Sequence, residues 1–157
     1  MTEKPRSYRA LKIFMVTVSL SLSIIPGVNA DEKQNEDLVV KAITGLFIKR
    51  DPSVIEKYWS ETYKQHNPGI PDGRGDLKGI VASLTKEFRY EMGFVTTNKE
   101  GLVMVHGRYT GWGPKSLVGV DIFRIKDGKL EEHWDVLQEE VKTKSGRPMF
   151  EPNEAKH

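Results

Sequence analysis

The chain contains no cysteine. No disulfide can brace the fold, so a hydrophobic core must hold it unaided, and an oxidising compartment is tolerated without being required. Long apolar runs are also missing. The longest, Ile13–Ile25, is interrupted by Ser and Thr and falls short of the ~20 residues of a membrane span. There is no internal repeat, no low-complexity segment, no HxxxH-type ligand spacing, and no nucleophile elbow around Ser83 or Ser116. These absences argue against a solenoid, a zinc site of the usual motif type and a Ser-His-Asp hydrolase.

The first thirty residues stand apart. Lys4, Arg6, Arg9 and Lys12 form a basic start, the short apolar run follows, Pro26-Gly27 breaks it, and Val28-Asn29-Ala30 ends on small residues. This order predicts a secretory signal cleaved after Ala30 and a secreted or periplasmic protein, with an uncleaved anchor as the alternative. Four of the 24 basic residues and one of the 22 acids lie in that segment, which leaves 20 basic against 21 acidic residues in Asp31–His157. So even a balance removes the electrostatic case for nucleic-acid or membrane partners after cleavage. The remaining 127 residues suffice for one cored domain.

Periodicity divides that domain in two. Leu38, Val39, Ala42, Ile43, Leu46 and Phe47 fall on one helical face within Glu36–Arg50. Asp51-Pro52 ends that helix, and Ser53-x-x-Glu56 reads as a capping box opening a second. Asn67–Gly75 is a glycine-rich loop, and Asp76 is placed to cap a third helix with Leu77, Ile80, Val81, Leu84 and Phe88 inward. Beyond Gly93 the pattern is extended: Phe94–Thr97, Leu102–Tyr109, and the hairpin Leu117–Gln138 with Asp127-Gly128 at its turn. Residues 31–141 form the predicted domain, and 142–157 are polar, proline-containing and irregular. Helices followed by strands predict an α+β fold with helices on one sheet face and a small-molecule concavity between the layers.

The turn decides which hairpin residues share a face. A two-residue loop sets Asp121 opposite Trp134 and sends Asp135 to the other face. A three-residue loop, Lys126–Gly128, sets Asp121 opposite His133 and gathers Phe123, Glu131 and Asp135 with them. The second arrangement is preferred because it collects the ionisable groups. It leaves Val120, Ile122, Leu130, Trp134 and Val136 on the reverse face as a candidate dimer surface.

Tyr63-Lys64-Gln65-His66-Asn67-Pro68, then Asp72-Gly73, then VDIFRIKDGKLEEHWD at 120–135, resemble the SnoaL-like polyketide cyclases of the nuclear-transport-factor-2-like superfamily. The resemblance spans nearly all of the chain after the signal. It implies a cone-shaped α+β barrel, three N-terminal helices on a strongly curved antiparallel sheet, usually dimeric. It further implies aldol-type ring closure of a carbonyl compound without metal or other cofactor. By position Asp135 matches the family's acid/base, and Asn67 and Asp121 match pocket positions.

The expected reading is a lyase, isomerase or aldol-type cyclase acting on a small apolar carbonyl compound. Asp135, Asp121 and His133 form the catalytic set; His66, Asn67, Trp134, His106 and Phe123 form the binding set. His66 and Asn67 are expected at a helix end roofing the cavity. The ordinary alternatives are solvated sheet charges for Asp121, a turn role for Asn67, a sheet-face role for His106 and packing for Trp134. As a whole, the chain would then be a secreted ligand-binding module or an interaction subunit of the same fold.

Overall fold

The computed structural model describes residues 30–153; the predicted signal segment lies almost wholly outside them. The described residues are α+β, with three helices against a five-stranded sheet that curves without closing. Helix α1 (Ala30–Ile43) runs into a wider-wound turn, Thr44–Ile48. Then follow α2 (Val54–Tyr58), β1 (Trp59–Gln65), α3 (Gly75–Ser83), β2 (Arg89–Thr97), β3 (Leu102–Thr110), β4 (Leu117–Lys126) and β5 (Lys129–Glu139). The strand order is β1-β5-β4-β3-β2. No helix among the described residues is long and apolar enough to cross a membrane.

Several expectations need correcting. The sheet is mixed, because β1 lies parallel to β5 while all other pairs are antiparallel. The third helix follows the first strand, so the helices are not all N-terminal to the sheet. Residues Trp59–Gln65 form a strand where a helix leading to His66 was expected. Trp59, Tyr63 and Thr62 favour the extended state, and β5 supplies the ladder that only tertiary structure provides. Ser53 makes no side-chain cap; the Asp51 carboxylate accepts its amide instead. Phe88 is buried, but beyond the end of α3.

The first helix follows its apolar stripe inward. Val39, Ala42, Ile43 and Leu46 are almost fully buried. They meet Ile55, Trp59, Phe88, Val103, Val105 and Leu130 in one core between the helices and the concave face of the sheet. The wide turn carries Leu46 and Phe47 to the cavity wall. The register shifts in three pairings: β1–β5 between Trp59 and Lys64, β2–β3 and β4–β5. In β2, Gly93 and Phe94 stand against His106 alone; in β5, Glu131 is the extra residue.

The hairpin turn has two residues, not three. Asp127 (φ 50°) and Gly128 (φ 70°) are both left-handed, the signature of a type I′ turn, and Lys126 pairs with Lys129. The bulge at Glu131 then shifts the ladder, so Asp121 lies opposite Asp135 and Phe123 opposite His133. Side-chain facing depends only on parity. Asp121, Phe123, His133 and Asp135 therefore share the inner face although the expected register differs by two. Glu131 leaves that face and accepts a hydrogen bond from Thr62. Leu130, between turn and bulge, has the reverse parity and is fully buried in the core.

Residues 142–153 have no regular structure, yet they are docked. Phe150 is buried beside His106 (ring centroids 5.3 Å apart), Arg108 lies over its ring at 5.0 Å, and the Asn153 amide donates to the Met92 carbonyl at 3.0 Å.

Candidate functional site

A cavity of about 120 Å³ lies between the concave sheet face and the helices, opening to solvent on one side. Its apolar wall includes Leu46, Phe47, Trp59, Leu77, Ile80 and Trp112. The polar groups come from the sheet: Tyr63, Gln65 and Asn67 at and just beyond β1, Tyr109 from β3, Asp121 from β4, and His133 and Asp135 from β5. Alternation places them. Residues 63, 65 and 67 recur at the period of a strand face, as do 133 and 135.

The ionisable groups form one connected set. Asp121 is 3 % exposed and His133 6 %. The Tyr109 hydroxyl donates to the Asp121 carboxylate, 2.6 Å from Oδ2 and 2.8 Å from Oδ1. His133 Nε2 stands 3.2 Å from Asp121 Oδ1, and its Nδ1 stands 2.9 Å from Gln65 Oε1. Asn67 Nδ2 donates to Asp135 Oδ2 at 2.5 Å. Burial pushes the Tyr109 hydroxyl well above the ordinary tyrosine range, and the Asp121 charge pushes it further; burial raises Tyr63 likewise. Both phenols thus stay protonated and serve as donors. The ring of Phe123 stacks on His133 at 4.7 Å. Tyr90, beneath this set, has a buried hydroxyl with no hydrogen-bond partner among the described residues.

One donor atom from each of Asp121, His133 and Asp135 lies within 4.8 Å of the others. Two carboxylates and an imidazole are a chemically competent ligand set for a divalent cation. Equally, they are an acid/base constellation, with every member held by a neighbour's hydrogen bond.

The other expected site residues lie elsewhere. His66 is outside the cavity: its Nε2 is 2.9 Å from Glu132 Oε1, and its ring stacks on Trp134 at 4.8 Å. Arg124 also donates to Glu132 and covers the Trp134 ring. The His66 hydrogen bond, with help from Arg124, holds the Glu132 carboxyl below its usual range. Trp134 and His106 have outward parity; His106 sits between Phe94 and Phe150. Expecting a helix to end at His66-Asn67 hid Gln65 and Tyr63. A strand reading would have aligned them with Asn67. No sequence signal singled out Tyr109, whose partner Asp121 is twelve residues away.

A wider, shallower hollow is bounded by Lys33, Asp37, Lys41 and Lys57 near α1 and α2, and is open to solvent.

A family model described as a SnoaL-like domain matches residues 39–133, more than half of the chain. No curated protein matches it. Among solved structures, it resembles a protein assigned as a ketosteroid isomerase from Kribbella flavida (18 % identity, 72 % of this chain and 84 % of that one, TM-score 0.61). It also resembles a protein assigned as a polyketide cyclase from Bacillus cereus (19 %, 66 % and 74 %, 0.57). A third is an LEH-like epoxide hydrolase from M. tuberculosis (12 %, 69 % and 85 %, 0.56). At such identities these likenesses speak to the fold alone.

Proposed function

Given that the chain belongs to the SnoaL-like domain family, we propose that it is a small-molecule enzyme moving a proton on an apolar carbonyl compound, as isomerase, lyase or aldol-type cyclase. The observation that carries this reading is the pairing of a held carboxylate with an imidazole–carboxylate couple in one apolar cavity. Asp135, steadied by Asn67, takes the proton from the carbon beside the carbonyl. The C–H bond breaks and an O–H bond forms on Asp135; the C–H pair becomes a carbon–carbon double bond, and the carbonyl π pair moves onto its oxygen. The Asp121–His133 couple supplies the hydrogen bond to that developing oxyanion. Return of the proton at another carbon gives isomerisation, attack on a second carbonyl gives ring closure, and loss of a β-substituent gives elimination.

Size narrows the substrate. An apolar cavity of ~150 Å³ takes up benzene, and this one measures about 120 Å³. Its inner part therefore suits a single ring or a compact chain. The proposal includes export by the N-terminal thirty residues. It also includes pairing with a second copy through the outer strip Val120, Ile122, Trp134 and Val136, of which Val136 is 71 % exposed. A monomer in sedimentation equilibrium would remove that last part.

The test is α-proton exchange of ketones in D2O, followed by proton NMR. Cyclopentanone and cyclohexanone are expected to exchange faster with the protein than with buffer of the same carboxylate content, and bicyclic decalone to gain nothing. Ring ketones that bind, by chemical-shift perturbation, but exchange at the buffer rate would favour the non-catalytic binding module and sink the enzyme reading.

A further inference from the structure

The hydrogen bonds around Gln65 place one proton of His133. The amide oxygen of Gln65 accepts the backbone N–H of Asn67 at 2.9 Å. Turning the amide over would set its NH2 against that N–H, donor against donor, so the oxygen is fixed on this side. The same oxygen stands 2.9 Å from His133 Nδ1. An oxygen cannot donate, so Nδ1 carries a proton. The far nitrogen, Nε2, then faces Asp121 Oδ1 at 3.2 Å. A neutral ring with its proton on Nδ1 offers only a lone pair at Nε2, and a carboxylate offers only lone pairs in return. The contact is an attraction only if one more proton lies between them, on the imidazole or on the carboxyl.

We infer that Gln65 is a positioning residue: it holds His133 with its proton on Nδ1 and thereby loads the Asp121–His133 couple with one further proton, making it the acid side of the site. The acid role, though not the proton position, rests on the enzyme reading above. The groups facing His133 are consistent with this. From β1 come Tyr63 and Gln65, from β3 Tyr109, from β4 Asp121 and Phe123, and from β5 itself Asp135. The two tyrosines are neutral donors, and Asp135 is occupied by Asn67. The nearest carboxylate free to share a proton with the ring is Asp121. The two acids therefore divide the work. Asp135 keeps the lone pair that takes a proton, and Asp121 shares with His133 the one that is given.

The experiment is nitrogen-15 NMR of histidine-labelled full chain, with a His133→Asn variant to assign the ring signals. The wild type is expected to show a protonated Nδ1 on His133 and a proton at, or strongly hydrogen-bonded to, Nε2. In Gln65→Leu the ring is expected to move its proton to Nε2 and donate it to an ionised Asp121, so that the couple holds one proton fewer. Ketone exchange is then expected to fall about 10²-fold, the low end of what a positioned acid contributes. Gln65→Glu keeps the acceptor and is expected to restore the wild-type ring signals. An unprotonated Nδ1 in the wild type overturns the inference with no variant needed, and so does a folded Gln65→Leu protein whose ring signals are unchanged. If the ring signals move as expected while Gln65→Leu exchanges ketones at the wild-type rate, the proton position stands and the acid role is overturned.

Discussion

Asp135→Asn is expected to lower the enzyme-dependent exchange of cyclopentanone and cyclohexanone α-protons by about 10²- to 10⁴-fold, the range a positioned general base supplies. The substitution leaves shape and backbone pairing alone. Asparagine has the shape of aspartate, and its amide oxygen can still accept from Asn67 Nδ2, now 2.5 Å from Asp135 Oδ2. The strand pair Asp121–Asp135 keeps its register because the ladder bonds are backbone. What is lost is a basic lone pair, since an amide does not take a proton at neutral pH. Ring-ketone binding is therefore expected to change little, with the effect falling on the rate. Exchange at the wild-type rate by a folded Asp135→Asn protein would remove Asp135 from the chemistry and leave the Asp121–His133 couple as the base.

The largest expected effect on stability is at Leu130. Leu130→Ala is expected to cost about 2–5 kcal/mol, the range for truncating a buried leucine, because the side chain is fully enclosed by the core. Val136→Ala, on the same strand, is expected to stay within about 0.5 kcal/mol, because Val136 is 71 % exposed. The three-residue loop expected from sequence puts both residues on the outer face and predicts two small, similar effects. Urea unfolding of the two variants decides between these patterns. Equal midpoints would place the ladder shift somewhere other than Glu131.

Local causes made part of this fold legible in the sequence, and long-range ones did not. The α1 stripe, the later strands and the Asp127-Gly128 turn were legible because each has a local cause: a helical period, β-branched alternation, a pair of residues that tolerates positive φ. The grouping of Asp121, Phe123, His133 and Asp135 on one face was legible because parity survives an error of two. The bulge was not, since no residue type at Glu131 announces it. Strand β1 was misread because its partner is β5, some seventy residues away, and its own residues carry a helix-compatible mixture of Ser, Glu, Lys and Gln. The cost of that misreading was specific. It moved His66 into the site and kept Gln65 out of it, although the two are adjacent. Trp134 and His106 were included for their chemistry, and alternation along β5 and β3 turns both outward.

The docked C-terminal segment bears on how the protein behaves in company. An unclosed sheet ends in strands whose outer amides and carbonyls are unpaired, and such borders recruit other chains. Here β2 is one border. Its kink at Gly93 is overlain by Phe150 and Glu151, close enough that a methyl group built on Gly93 would lie 2.9 Å from the Glu151 oxygen, and Asn153 satisfies the Met92 carbonyl. Residues 150–153 thus cover part of this border, the kind of cover by which sheets limit edge-to-edge pairing. Shortening the chain before Phe150 is therefore expected to bare the β2 border and to promote association, seen as a rise in light scattering at equal protein concentration.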